Sequence, residues 1–340
     1  IRREKSLLST FNKDVIIMIF DAHGDIWTDV TVKRQKGNKD VFKNFHLEKY
    51  CKGQVNAGIF VIWVDPPYDK NPRQRALEII ENMSVEITTN QDIFKIVKKY
   101  DHIGEAIDSN KFAIILGSEG LSYIGKNVGL INALYLFGVR HATLTWNEEN
   151  ELATGVKGNP NRGLTQYGVE AVKRLEELGM IVDVSHANEK TFWDICETTT
   201  KPIIASHSNC KALCKAPRNL TDEQLKAISA KGGVVGLNAF SDFVADEIED
   251  RDIEHLANHV DHMVEVMGID HVGFGFDFDD YLEGDTLSAF AEGDAKTIGF
   301  ENITKVPKMI ELLEKKGYSS EDIEKIKYKN FLRVIKQILN

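Results

Sequence analysis

Eight short apolar runs, each followed by a segment of helical character, constrain the fold of this 340-residue chain more than any other feature. The runs are rich in β-branched residues and are apolar throughout, which is typical of parallel strands covered on both faces. A strand followed by a helix, repeated eight times, predicts a (β/α)₈ TIM barrel, an α/β fold. The predicted strands are 15–20, 58–64, 112–116, 139–145, 180–184, 202–205, 233–237 and 271–276.

An open doubly wound sheet is the alternative fold. No G-x-G-x-x-G motif follows the first predicted strand, so the usual support for that fold is missing. The two folds differ in what they predict for His23 and Asp277, which follow the first and last strands. A barrel brings these residues together, whereas a separation far beyond roughly 10 Å would count against the barrel.

The composition of the chain excludes some kinds of binding partner and favours one cellular location. The net charge of −10 disfavours nucleic acid and anionic lipid as partners, and no apolar stretch is long enough to predict a membrane helix. Four cysteines in a chain of this length do not form a disulfide framework, which favours a reducing, cytoplasmic location. We predict one domain over residues 15–340, preceded by a polar N-terminal extension over residues 1–14 that lies outside the fold.

Histidines and carboxylates stand just past five of the predicted strands. In a barrel of parallel strands these positions converge on one mouth. A single histidine at a strand end is commonly a packing residue, but this many buried charged groups without a cation would be costly. The residues are His23, Asp25, Glu119, His186, His207, Asp277 and Asp279.

These ligand types predict a centre for divalent metal ions. His23 and Asp25 are two positions apart, which places both side chains on one side of an extended backbone. Imidazole and carboxylate together suit zinc or a similar ion. The set exceeds what one tetrahedral ion needs, but two ions about 3.5–4 Å apart would use it. Glu119 is the expected bridge because it stands between the two ligand groups in strand order.

Short motifs surround these residues in a fixed order. They are DAHGD at 21–25, GSEG at 117–120, DVSH at 183–186, SHS at 206–208, RN at 218–219, GFGFDFD at 273–279 and NFLR at 330–333. With this set the chain resembles the membrane (renal) dipeptidase family, peptidase family M19, a branch of the amidohydrolase-type barrels. The resemblance extends from about Ile19 to Val334, and its specificity lies in the ordered set and not in any one motif.

The resemblance implies a zinc dipeptidase with two Zn²⁺ ions, in which a metal-bridging hydroxide attacks the peptide bond. It implies that Arg218 binds the C-terminal carboxylate of the dipeptide and that Asp277 acts as the acid/base carboxylate. Glu119 is expected to be catalytic as well as bridging. The resemblance implies that the substrates include dipeptides with a D-residue at the C-terminal side. The implied metal ligands are His23 and Asp25 for one ion, His186 and His207 for the other, and Glu119 for both.

The chain departs from well-known family members at Trp146, where those members carry a histidine that helps to bind the substrate carbonyl. Phe240 replaces a common tyrosine in the segment Asn238-Ala239-Phe240. We place Trp146 and Asn238 with Arg218 as substrate-binding residues. Because Trp146 cannot act as an acid or base, another metal-dependent amidohydrolase activity, on N-acyl amino acids, lactams or lactones, remains the alternative.

Other candidate groups favour a structural interpretation. His207, Cys210 and Cys214 lack a second ligand pair with zinc-site spacing.

The expected partners are a dipeptide or similar small molecule and, in a homodimer, a second copy of the chain. A catalytically silent barrel gains no support, because every proposed ligand is present. Three histidines on the helix before the last strand should lie outside the barrel; they are His255, His259 and His262.

Overall fold

The computed structural model describes residues 19–284, 286 and 296–340. The predicted extension over residues 1–14 and the start of the first predicted strand lie outside the described residues. The described chain contains nine strands, all parallel. They are β1 Phe20–Gly24, β2 Ala57–Trp63, β3 Phe94–Ile96, β4 Phe112–Glu119, β5 Val139–Thr143, β6 Ile181–Asp183, β7 Ile204–Ala205, β8 Val234–Leu237 and β9 Val272–Phe274.

Eight of the strands form a nearly closed barrel in the order β1-β2-β4-β5-β6-β7-β8-β9. The first and last strands meet at a seam, where the backbone N–H of Phe276 donates to Asp21 Oδ1 at 2.9 Å. His23 Nε2 lies 3.7 Å from Asp277 Oδ1 across the same seam. The TIM barrel predicted from the sequence is therefore confirmed, and the open sheet is excluded.

Each strand is buried because both of its faces are covered. In β2, Ile59, Val61 and Trp63 pack inside the barrel, while Phe60 and Ile62 pack against the surrounding helices. Because successive side chains enter two different apolar layers, the strand has an apolar residue at every position. It also directs Trp63, the last inward residue, toward the mouth of the barrel.

Helices cover the outside of the barrel and follow most strands. Thr221 and Gln224 form a capping box at the start of the helix Asp222–Ala230. Within the described residues, no helix combines the length and apolar character needed to cross a membrane. The helices are α1 Ile26–Gln35, α2 Leu47–Gly53, α3 Pro72–Thr89, α4 Asp101–Asp108, α5 Leu130–Phe137, α6 Gln166–Glu177, α7 Glu189–Thr198, α8 Asp222–Ala230, α9 Ile253–Met267, α10 Val306–Lys315, α11 Ser320–Glu324 and α12 Asn330–Ile338.

Three local features differ from the prediction. The extra strand β3 pairs with the first residues of β4, outside the barrel path. Strand β4 continues past its apolar run as far as Glu119, because backbone pairing with β2 extends to the pair Trp63 and Glu119. Asp25 does not lie on extended backbone as expected. It is the residue before α1, with φ −85° and ψ 30°.

Candidate metal centre

The predicted histidines and carboxylates come together at the carboxyl ends of the barrel strands. They come from the ends of five different strands, and all but Asp277 and Asp279 are buried. His23 lies within β1, Asp25 follows it, Glu119 ends β4, His186 follows β6, His207 follows β7, and Asp277 and Asp279 follow β9.

Glu119 lies at the middle of this group. Its Oε1 atom is 3.4 Å from Nε2 of His23, 3.4 Å from Nε2 of His207 and 2.6 Å from Nε2 of His186. Neighbouring ligand atoms around a tetrahedral zinc with bonds near 2.1 Å are roughly 3.4 Å apart. His23 and His207 therefore each lie at the distance from Glu119 that two ligands of one ion have.

His23 also belongs to a second group of ligand atoms. Its Nε2 atom is 3.7 Å from Asp25 Oδ2 and 3.7 Å from Asp277 Oδ1. Neither ring nitrogen of His23 has a hydrogen-bond partner among the described residues. A buried imidazole without partners, facing three carboxylates, fits a bound cation.

The protonation of His186 strengthens the fit to a metal. Burial and the charge of Arg218 lower the pKa of His186 well below its ordinary value, so the ring is neutral. Its Nδ1–H donates to Asn147 Oδ1 at 3.0 Å, which leaves a lone pair on Nε2. That lone pair faces Glu119 Oε1 at 2.6 Å, His207 Nε2 at 2.9 Å and the guanidinium Nη2 of Arg218 at 3.3 Å. Nitrogen and oxygen atoms this close share either a proton or a cation, and neutral imidazole is the metal-binding form.

A layer of polar side chains beneath the centre holds His207. Ser206 Oγ lies 2.7 Å from His207 Nδ1 and 3.2 Å from Ser185 Oγ. Ser185 Oγ donates to Asp183 Oδ1 at 2.7 Å, and Asp183 Oδ2 lies 2.7 Å from His141 Nε2. Such contacts fix the orientation of a metal-binding imidazole and its free nitrogen.

Asp277 has the properties of a group that exchanges a proton. Burial raises the pKa of Asp277 to about 6, against the lowering effect of His23. Its backbone has a φ of +56°, in the left-handed region where few residues other than glycine lie. Asn238 Nδ2 donates to Asp277 Oδ2 at 3.0 Å. A carboxyl group with a pKa near neutrality can both accept and return a proton.

Arg218 lies in the wall of the same cavity. Its guanidinium donates to the carbonyl of His207 at 3.1 Å and to Ser208 Oγ at 3.4 Å. Burial lowers the pKa of Arg218 to about 10, which leaves the group charged at neutral pH. These bonds hold a buried cation at the edge of the centre, where it can bind an anionic group of a ligand.

The centre opens into a cavity of about 250 Å³. Trp146 lines it, with its ring centroid 5.5 Å from that of Trp63. Asn238 is fully buried behind Asp277, so its assignment to substrate binding stays a prediction. The cavity is also lined by Asn147, Val156, Lys157, Pro217, Phe240, Asp242, Phe243, Asp279 and Leu282.

The other candidate groups lie outside the centre. Cys210 and Cys214 are buried and free, and their sulfur atoms contact the backbone carbonyls of His259 and Asp242. The helix histidines each have partners of their own: His255 bonds to Asp252, His259 to Cys210 and Val244, and His262 to Asp222.

Two residues that form hydrogen bonds with the centre are not among those predicted from the sequence. Asn147 orients His186 from a loop 39 positions earlier in the chain. The hydroxyl of Tyr281 accepts the backbone N–H of Asp25 at 3.0 Å. Neither residue lies in a motif or has a spacing that marks it, so no signal in one sequence could have identified them.

Comparisons with known proteins agree with this architecture. The family model for membrane dipeptidases, peptidase family M19, matches residues 12–340. The chain is 31% identical over 369 residues to an uncharacterized dipeptidase of Schizosaccharomyces pombe, covering 99% of this chain and 85% of that protein. It is 30% identical over 306 residues to dipeptidase verJ of Clonostachys rogersoniana, covering 86% and 75%.

Solved structures show the same fold. A metallopeptidase of family M19, dipeptidase AC, has a TM-score of 0.83 and 25% identity, covering 96% of this chain and 99% of that one. A metallopeptidase from Rhodobacter sphaeroides, bound to a phosphinate mimic of the dipeptide L-Ala-D-Ala, has a TM-score of 0.82 and 24% identity, covering 95% and 99%. With its matched family model and relatives, the chain belongs to the membrane dipeptidase family, peptidase family M19, and is a metallo-dipeptidase.

Proposed function

We propose that the chain is a zinc-dependent dipeptidase with a binuclear centre bridged by Glu119. The observation that carries this proposal is the position of Glu119 Oε1, within 3.4 Å of Nε2 of three buried histidines. One carboxylate shared among so many ligands is the arrangement that two-ion sites use. In the proposal, His23 and Asp25 would hold one ion, His186 and His207 would hold the other, and Glu119 would help to hold both.

Zinc, when bound, supplies a Lewis acid that polarises the scissile carbonyl and lowers the pKa of water. Asp277 accepts the proton of the attacking water and passes it to the leaving amine. The bond from Asn238 holds the Asp277 carboxylate toward the cavity during both transfers. Arg218 binds the C-terminal carboxylate of the dipeptide and so fixes the peptide bond over the centre. Trp146 contributes an indole N–H to the substrate cavity.

Metal analysis tests the centre. Purified protein should contain two equivalents of zinc, lose dipeptide hydrolysis after chelation and regain it when zinc is restored. L-Ala-L-Ala and L-Ala-D-Ala are suitable first substrates, since a mimic of the second binds the Rhodobacter sphaeroides protein. A metal-free preparation with full activity would contradict the proposal. A stoichiometry of one would overturn only its binuclear part.

A second candidate function is hydrolysis of N-acyl amino acids, lactams or lactones. It is favoured by Trp146, because this side chain lines the cavity and cannot titrate. Parallel panels of dipeptides, N-acyl amino acids and lactones separate the two functions. A higher kcat/KM on any non-peptide panel than on the dipeptides would favour the second.

The cytoplasmic location and the homodimer remain part of this proposal. Cys196, Cys210 and Cys214 are free thiols, in keeping with a reducing compartment. Fractionation of the source cells and light scattering of the purified protein test the two statements separately.

A further inference from the structure

We infer that Lys157 selects dipeptides that carry an acidic side chain. This inference rests on the proposed dipeptidase function and assigns a substrate class to the same cavity. Lys157 lies in the loop after β5 and lines the cavity together with the centre. Its side chain is exposed to solvent at the cavity rim.

The backbone holds Lys157 at this rim. The N–H of Lys157 donates to the carbonyl of Asn147 at 2.9 Å. The N–H of the preceding residue, Val156, donates to the carbonyl of His186 at 3.1 Å. Because Asn147 and His186 also bond through their side chains, the loop that carries Lys157 is tied directly to the candidate metal centre.

Lys157 is the charged residue of the wall whose charge is available to a ligand side chain. Within the described residues its ammonium group has no carboxylate within ion-pair distance, and Nζ lies 6.0 Å from the ring centroid of Trp146. By contrast, Asp242 forms an ion pair with Arg251, and Arg218 is bonded to the backbone and Ser208 at the base of the cavity.

The surroundings of Lys157 strengthen the attraction for a bound carboxylate. Trp63, Trp146, Val156 and Leu282 line the cavity and form apolar parts of its wall. A ligand carboxylate beside this wall is partly removed from water, so its attraction to the ammonium group is screened less than at an open surface. A neutral ligand side chain leaves Lys157 solvated. Removal of Lys157 should therefore not weaken the binding of such a ligand.

The test compares side chains of equal size with and without charge. We would measure kcat/KM of the zinc-loaded enzyme for Ala-Asp and Asp-Ala and for their amide counterparts Ala-Asn and Asn-Ala. Wild-type protein should prefer at least one acidic dipeptide over its amide by about 10-fold. K157M should remove that preference with less than a two-fold change on the amides, and K157E should reverse it.

A matched control is K52M, which removes an exposed lysine that pairs with Glu48 away from the cavity. It should leave every ratio unchanged. Equal losses on acidic and amide substrates in K157M, or no loss on either, would overturn the inference. If zinc-loaded wild-type protein hydrolyses no dipeptide, the proposed function fails. If it hydrolyses them with no acidic preference, only the assignment of Lys157 fails.

Discussion

His141 Nε2 lies 2.7 Å from Asp183 Oδ2 in the fully buried layer beneath the candidate metal centre. Burial raises the pKa of Asp183, but hydrogen bonds from His141 and two serines overcome this effect and lower it to about 2. We expect D183A to reduce the free energy of unfolding by about 3–5 kcal/mol, because it removes one partner of a buried pair. Urea unfolding measures the loss.

A double-mutant cycle with H141A provides the control for that measurement. If the two side chains stabilise each other, D183A/H141A should lose less stability than the sum of the single variants. Strict additivity would show that the 2.7 Å contact contributes no coupling energy.

Ser206 should control metal affinity through His207. S206A removes the hydroxyl 2.7 Å from His207 Nδ1, and loss of such a supporting contact weakens metal binding by about 10–100-fold. Competition with a chelator measures the zinc affinity. S229A, which removes a hydroxyl bonded to the Lys226 carbonyl on a helix away from the centre, is the control. Equal zinc affinities in the two variants would contradict the role of Ser206.

D277N should separate proton transfer from metal binding. The amide keeps the size of the side chain but cannot accept the proton, so kcat should fall by about 10²–10⁴-fold. Zinc content should stay at the wild-type value. D280N, three residues further along and paired with Lys49, should keep full activity. A D277N enzyme with wild-type kcat would exclude Asp277 as the acid/base.

Arg218 should discriminate between free and blocked C-termini. Wild-type protein should hydrolyse a dipeptide much faster than the corresponding dipeptide amide, which lacks the carboxylate. R218M should lower kcat/KM for the free dipeptide by about 100-fold, as expected for loss of a buried charge partner. It should change the amide rate far less. An equal decrease on both substrates would show that Arg218 does not bind the carboxylate.

His259 makes stability depend on pH outside the centre. Burial lowers the pKa of His259 to about 4, against the raising effect of the bond from Nε2–H to the Val244 carbonyl. In the neutral form Nδ1 accepts the N–H of Cys210. The unfolded chain, with a pKa near 6.5, binds the proton first, so stability is complete above pH 6.5 and falls toward pH 4.

Between pH 7.5 and pH 5 this histidine should remove about 2 kcal/mol from the free energy of unfolding. H259Q can keep both hydrogen bonds without titrating, and it should lose correspondingly less stability over that range. Urea unfolding of the two proteins at both pH values gives the difference. Parallel pH profiles would assign the effect to other groups.

The barrel and the positions of the ligand residues could be predicted from the sequence because both follow from a local pattern. Continuous apolar runs mark strands covered on both faces, and parallel topology then brings residues that follow different strands to one mouth. Thus His23 and Asp277, which are 254 positions apart, were expected to meet, and their side chains lie 3.7 Å apart.

The remaining features depend on contacts between distant parts of the chain. Strand β3 has three residues and exists through its pairing with β4, so its own sequence contains too little pattern to predict it. Asn147 reaches His186 from a long loop whose path is set by bonds to the centre itself. The turn at Asp25 follows from the start of α1, which the expectation of an extended backbone overlooked.

The bond between Asp21 and Phe276 has a consequence for the order of synthesis. These residues are 255 positions apart, so the bond cannot form until Phe276, about four fifths of the way along the 340 residues, has been made. All five proposed metal ligands precede Phe276 in the chain, whereas Asp277 directly follows it. During translation the whole proposed ligand set is therefore present before the proposed acid/base carboxylate has been added and before the barrel can close.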